Sequence, residues 1–118
     1  MGQNNRLVGI EYEKQARIYL EQHGYEILEC NFYCSFGEID IVAKHNEYLV
    51  FVEVKYRRNL SKGYPLEAVS VQKQKRISKS ALYYMKCRGM QDVPIRFDVI
   101  GILGRKIELI QNAFDFVL

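Results

Sequence analysis

Two β-type runs joined by a short polar segment constrain the fold of this chain most strongly. They span residues 37–43 and 49–55, and both are rich in β-branched hydrophobes. The few residues between them are enough to close a hairpin. Because side chains alternate along a strand, Glu53 and Lys55 share a face with Phe51, on the side where a core is expected. Charged groups therefore point where the pattern predicts burial.

The register of this hairpin decides which carboxylates meet. If the loop has two or four residues centred between Asn46 and Glu47, Asp40 and Glu53 are equidistant from that centre and lie directly opposite each other. Like charges in direct opposition destabilise a sheet. We expect the repulsion to be offset by a divalent cation held by both carboxylates or by the ammonium of Lys55. An odd loop length would shift the pairing by one residue and weaken this reasoning.

The rest of the sequence supplies two helices and three more strands. Apolar spacing predicts a helix at about 6–23, which Gly24 ends, and a second helix at about 66–86, which packs Val69, Ile77, Ala81, Leu82 and Met85. Strands are predicted at 25–30, 95–102 and 106–110. The order α-β-β-β-α-β-β predicts an α/β fold with a central mixed five-stranded sheet flanked by helices, because the second helix can return the chain to a parallel neighbour. The last residues are expected to form a short helical turn, which either caps the core or contributes a seam to a homodimer.

Size and charge limit the function. With 118 residues and 48% hydrophobic content, the chain has room for one domain, 1–118. No apolar run is long enough to cross a membrane and no leader is visible, so we expect no membrane partner and a cytoplasmic location. Residues 55–88 hold ten of the seventeen basic residues and one of the fourteen acidic ones. Such a basic region is suited to a polyanion such as nucleic acid.

Six basic residues in that region are the predicted nucleic-acid contacts. The second helix has almost no acidic residues that would form favourable pairs with its lysines, which argues against a face built only for solubility. We expect its basic side chains to lie along an exposed surface. Tyr56, Tyr64, Tyr83 and Tyr84 are candidates to stack on a substrate with unpaired bases; several of them are expected in the core, and Tyr64, in the preceding loop, is the leading candidate. The six predicted phosphate contacts are Arg57, Arg58, Lys73, Lys75, Arg76 and Lys79.

The acidic residues suggest metal chemistry. Glu13 lies in an otherwise small or apolar row of the first predicted helix, where it either faces the sheet or reaches out to water. Two or three carboxylates from Glu13, Asp40 and Glu53 are what magnesium or manganese requires, with water or a substrate phosphate completing the coordination. The ammonium of Lys55 is suited to orient an attacking water and to neutralise charge that develops on a phosphodiester. Glu38 is an alternative ligand or a solvated charge.

The pattern of Asp40 followed thirteen residues later by Glu53-Val54-Lys55 resembles the PD-(D/E)xK nuclease superfamily. A closer resemblance, over nearly the whole chain, is to the YraN-like proteins of bacteria. It is carried by Glu13, Ala16 and residues 37–40, 51–55, 65–69, 73–77, 96–100 and 112–114.

The resemblance implies a single endonuclease-like domain with a fold similar to archaeal Holliday-junction resolvases. It also implies that Glu13, Asp40 and Glu53 bind the metal and that Asp40, Glu53 and Lys55 are catalytic, with the carbonyl of Val54 as a further ligand.

Three functional hypotheses follow. The leading one is a magnesium- or manganese-dependent endonuclease that hydrolyses phosphodiesters in DNA. The alternative is a non-catalytic nucleic-acid-binding module of DNA repair or recombination with the same fold. The third is a structural protein in which Asp40, Glu53 and Lys55 form only a buried ion network. Asp98, within another apolar strand, is expected to make a buried structural hydrogen bond.

Overall fold

Two helices and five strands form the described part of the chain. The structure is a computed structural model that describes residues 5–63 and 69–117. The helices are α1 (Asn5–Gln22) and α2 (Val71–Arg88). The strands are β1 (Glu26–Cys34), β2 (Gly37–His45), β3 (Tyr48–Arg57), β4 (Ile95–Leu103) and β5 (Lys106–Phe114), and a 3₁₀ turn at Leu60–Lys62 follows β3. The predicted element order and α/β class are confirmed. Over the described residues, neither helix combines the length and apolarity that crossing a membrane requires.

The strands form one mixed sheet in the order β1-β2-β3-β4-β5. β3 and β4 are parallel, and the other neighbours are antiparallel. The helices cover opposite faces of this sheet. Ala16 and Leu20 of α1 pack on one face, and Ile77 and Tyr84 of α2 pack with Phe51 on the other. The mixed five-stranded sheet flanked by helices, with α2 as the crossover between parallel neighbours, is therefore confirmed.

The β2–β3 hairpin has the register on which the site prediction depends. Its turn has two residues, Asn46 and Glu47, because His45 pairs with Tyr48. Asn46 adopts φ +56, a left-handed conformation that asparagine tolerates better than most residues. The regular pairing continues to Ile41 and Val52 and so brings the next residue of each strand, Asp40 and Glu53, to the same level.

Helix α2 differs from the predicted helix at both its start and its buried face. It begins at Val71, since the side chain of Ser70 accepts a hydrogen bond from the Lys73 N–H at 3.1 Å and caps the first turn. Leu82, expected in the core, is exposed, and Tyr84 occupies the buried position instead. The predicted loop contact Tyr64 lies outside the described residues.

The predicted C-terminal helical turn is wrong. Residues 112–114 extend strand β5, whose register shifts opposite Phe97–Val99 so that Phe114 pairs with Phe97. The two phenylalanine rings stack with centroids 4.9 Å apart. The Val117 N–H donates to the hydroxyl of Ser78 at 2.9 Å, so the last described residues cover the α2 face of the sheet. Burial of the aromatic ring accounts for the extended conformation.

Candidate metal centre

Strand β2 changes face at Asp40. Ile39 packs in the core under α2, whereas Ile41 packs in the core under α1. Residues two apart in a regular strand share a face, so the strand is irregular between them. The neighbouring strand is irregular at the same level, where Asn31 has φ +57. Asp40 Oδ2 accepts a hydrogen bond from the Val54 N–H at 2.8 Å. The carboxylate therefore lies where a backbone carbonyl of β2 would otherwise accept this bond.

Glu53 is the buried centre of an ion-pair cluster. Glu53 is only 5% exposed, and its side chain points to the α2 face of the sheet. The ammonium of Lys73 lies 2.8 Å from Glu53 Oε2, and the ammonium of Lys55 lies 3.3 Å from the same oxygen. A carboxylate this deep is stabilised only when paired, and here two cations compensate it.

Lys73 reaches this cluster because of its position on α2. It lies in the first turn on the same helical row as Ile77 and Tyr84, both of which face the sheet. The predicted exposed surface of α2 includes Lys73, and 38% of its side chain is exposed, but its ammonium is directed to Glu53. The physical reason is helical phase, since a residue four before a buried Ile77 shares its face. Lys73 is thus a site residue whose contact with Glu53 the sequence pattern did not predict.

The site concentrates charge in a confined space. Burial, together with the nearby charge of Glu53, raises the pKa of Asp40 to about 7 from an ordinary value of 3.8. Burial and the neighbouring ammonium of Lys73 lower the pKa of Lys55. Although burial alone would lower it, the pKa of Lys73 is raised by its hydrogen bond to Glu53. The fold therefore keeps Asp40 and Glu53 close together although their charges repel each other. Perturbed pKa values of this kind recur at functional sites.

Glu13 lies beside Asp40 in a groove of about 460 Å³ on the α1 side of the sheet. The groove is also lined by Asn31, Tyr33 and Glu38. Glu13 Oε1 accepts a hydrogen bond from Asn31 Nδ2 at 2.9 Å. Asn31 was not anticipated from the sequence. A signal was available, because asparagine is uncommon in strand interiors and is among the residues that tolerate a positive φ.

Two residues of this centre have side chains of the type that binds a hard divalent cation. Asp40 and Glu53 offer carboxylate oxygens from adjacent strands, the ligand type that magnesium and manganese prefer. Asp40 accepts from Val54 through Oδ2, and both lysines contact Glu53 through Oε2, so one oxygen of each carboxylate takes no part in these contacts. Within residues 5–63 and 69–117, no three His, Cys, Asp or Glu side chains are grouped closely enough to surround a metal ion. In this structure Glu13 borders the pair without joining it.

The remaining predicted nucleic-acid contacts fall on two neighbouring surfaces. Lys75, Arg76 and Lys79 are exposed on the outer side of α2. Arg57 and Arg58 line a recess of about 470 Å³ that also includes Lys55. The Arg57 Nη1 donates to the carbonyl of Tyr56 at 2.9 Å, whereas its Nε is buried and has no hydrogen-bond partner among the described residues. These two surfaces adjoin the carboxylate pair through Lys55 and Lys73.

Asp98 has the structural role that was predicted. Its carboxylate is fully buried and accepts from the hydroxyl of Tyr25 at 2.6 Å, from the Arg96 guanidinium at 2.9 Å and from the Asn112 N–H at 2.9 Å. Burial and the contact with Asp98 raise the pKa of Tyr25 to about 12. All of these partners serve to satisfy one buried charge, which accounts for an acidic residue in an apolar strand.

Fold and site together define an α/β protein with a mixed five-stranded sheet and a carboxylate–lysine cluster at the irregular end of its central hairpin. Comparison with known proteins identifies the family. Residues 12–102 match the uncharacterised protein family UPF0102. The chain belongs to this family, which is the YraN-like family that the motifs indicated.

Relatives in several bacteria share most of the chain. It is 50% identical over 113 residues to a UPF0102 protein of Lachnoclostridium phytofermentans, covering 95% of this chain and 96% of that protein. A UPF0102 protein of Syntrophus aciditrophicus is 47% identical over 107 residues, covering 87% of this chain and 84% of the relative. One from Fusobacterium nucleatum is 43% identical over 109 residues, covering 92% of each.

Proposed function

We propose that this protein is a metal-dependent endonuclease that hydrolyses phosphodiester bonds in DNA. The observation that carries the proposal is the pair of neighbouring carboxylates, Asp40 and Glu53, with the ammonium groups of Lys55 and Lys73 on the buried Glu53. A structural ion pair does not require a second, mutually repelling carboxylate at a break in the sheet. A site for a divalent cation next to a phosphate accounts for the second carboxylate, because the cation offsets the repulsion between the two.

Asp40 and Glu53 would hold the cation, magnesium or manganese, and Glu13, which lines the same groove as Asp40, would be a further ligand. When bound, such an ion neutralises the phosphodiester and lowers the pKa of a coordinated water. Lys55 would orient the attacking water and stabilise the charge that develops on the phosphate. Its lowered pKa, caused by burial and by Lys73, makes proton exchange with that water easier than for an exposed lysine.

The basic surfaces supply the path for DNA. Arg57 and Arg58 lie on the side of Lys55, and Lys75, Arg76 and Lys79 lie on the outer side of α2. Contacts of this kind bind the phosphate backbone without reading sequence, and their affinity falls with salt. We expect the combined variant Lys75→Ala/Lys79→Ala to weaken DNA binding for all sequences and to reduce the salt dependence by about two phosphate contacts.

Cleavage of a labelled panel of duplex, single strand, flap and four-way junction tests the proposal. The wild type should cut at least one substrate with magnesium or manganese and none with a chelator. Asp40→Asn, Glu53→Gln and Lys55→Met should abolish cutting and retain DNA binding. Asp92→Asn, which changes an exposed aspartate in the same way, should cut like the wild type.

The alternative is a DNA-binding module that does not cut. One observation favours it, because Lys55 and Lys73 already compensate the charge of Glu53 without a metal. Binding without cleavage of any substrate, unchanged by magnesium and by Asp40→Asn, would establish this alternative and reject the nuclease.

A further inference from the structure

An aromatic patch lies on the side of α2 that faces away from the sheet. Lys79, Leu82, Tyr83 and Lys86 have the spacing i, i+3, i+4 and i+7, so they share one exposed row of the helix. Phe36, from the turn between β1 and β2, completes an open groove of about 290 Å³ with these four residues. We call these five residues the aromatic patch. Phe36 and Tyr83 are each 44% exposed, and their ring centroids are 6.4 Å apart in an edge-on arrangement.

The patch is held in place by the elements beneath it. The ring of Tyr83 lies 6.3 Å from that of Phe32, whose side chain belongs to the core under α2. The thiol of Cys34 donates to the hydroxyl of Ser80 at 3.4 Å and ties the β1–β2 turn to the helix. Exposed rings that are fixed in this way bind a flat partner without first losing side-chain entropy.

The charge around the patch decides between two kinds of partner. Helix α2 carries six lysines and arginines and no acidic residue. A second copy of the chain seated on the same patch by a two-fold axis would bring Lys79 and Lys86 against their own counterparts, which is unfavourable. A polyanion with flat apolar groups is complementary both to the exposed aromatic rings and to the positive charge around them. Such a partner is a nucleic-acid strand with unpaired bases.

We infer that unpaired bases of a nucleic-acid strand stack on Phe36 and Tyr83 while Lys79 and Lys86 bind the flanking phosphates. This rests on the proposed function and specifies its substrate, since single strands and flaps present unpaired bases and a complementary duplex does not. Phe36 precedes Asp40 by four residues, which is roughly 13 Å along an extended chain. The patch therefore begins four residues from one member of the carboxylate pair.

Fluorescence anisotropy in the presence of a chelator tests the inference without cleavage. The probes are a labelled oligothymidylate, an abasic strand of the same length and charge, and a duplex. The wild type should bind the oligothymidylate more tightly than the abasic strand, because only the former can stack. Tyr83→Ala should lose about fivefold or more in oligothymidylate affinity, the lower end of what base–aromatic stacking contributes, and should bind the other two probes unchanged.

Two further variants make the readout specific. Tyr83→Phe keeps the ring and should bind like the wild type. Ile110→Ala shortens an exposed side chain on β5, away from α2, and should also bind like the wild type. Equal affinity of the wild type for the two single strands, or an oligothymidylate affinity of Tyr83→Ala equal to that of the wild type, would overturn the inference. So would self-association that Tyr83→Ala abolishes, which would make the patch an interface with a second copy.

Failure of the stacking inference and failure of the nuclease proposal are distinguishable. If the wild type prefers oligothymidylate but never cuts, the nuclease proposal fails and the aromatic patch remains. If it cuts in a manner that depends on Asp40 but shows no preference for bases, the nuclease remains and the patch inference fails.

Discussion

The Asp40→Asn variant should be more stable than the wild type, by an amount that depends on pH. Burial and Glu53 raise the pKa of Asp40 from 3.8 to about 7 in the folded protein. The folded state therefore keeps a proton that the unfolded chain releases, and stability falls as the pH rises from about 4 to about 7. The full difference in pKa corresponds to roughly 4 kcal/mol. Asparagine has nearly the same shape, and its carbonyl oxygen can still accept from the Val54 N–H.

We expect the free energy of unfolding of Asp40→Asn to exceed that of the wild type by about 2 to 4 kcal/mol at pH 8. The difference should be about half of that near pH 5.5 and almost nothing at pH 3.5. In a domain of this size the gain at pH 8 is a rise in Tm of roughly 10 °C. Urea denaturation of both proteins at the three pH values measures it. Asp92→Asn is the matched control, and this exposed site should change stability by less than about 0.5 kcal/mol. A gain independent of pH, or a loss at pH 8, would refute the reasoning.

Three other variants test the packing of buried charge and of one helix end. Glu53→Ala should cost about 3 kcal/mol because it leaves the mostly buried Lys55 ammonium unpaired, and Lys55→Met in the same chain should recover part of it; additive losses in thermal denaturation would contradict the pairing. Asp98→Asn should lower the free energy of unfolding by a similar amount, as seen in urea, since Arg96 loses its anion; wild-type stability would argue against a structural role. Gly89→Ala should lower the free energy of unfolding by about 1 kcal/mol, because φ is +65 there and a side chain disfavours this conformation. An added Cβ meets no atom within 4 Å, so the loss has a backbone origin, which an unchanged denaturation midpoint would contradict.

Local pattern was enough to predict most of the fold. Alternation in β2 and β3, the short polar turn at residues 46–47 and the length of the crossover helix together predict the mixed sheet and the hairpin register. Gly24 was a correct end signal for α1, where it takes φ +88. The C-terminal residues could not be assigned in this way, because Phe114 is extended by a contact with Phe97 that is distant in sequence.

The candidate site was predictable in its residue types but not in its three-dimensional arrangement. The opposition of Asp40 and Glu53 follows from counting residues in the hairpin. Period two cannot reveal the change of face at Asp40, because that change depends on the paired irregularity at Asn31. Lys73 could have been placed at the site from its spacing to Ile77. The charge of the region as a whole pointed to the exposed surface instead.

Direct titration of the protein with manganese tests most simply whether Asp40 and Glu53 form a divalent-cation site. Isothermal titration calorimetry should show one strong site in the wild type and in Glu47→Gln, a matched change in the exposed turn. Loss of an outer-shell partner alone typically weakens metal binding 10- to 100-fold. Asp40→Asn and Glu53→Gln should therefore each weaken binding by at least about tenfold. Identical titrations of all four proteins would contradict a metal site at this carboxylate pair.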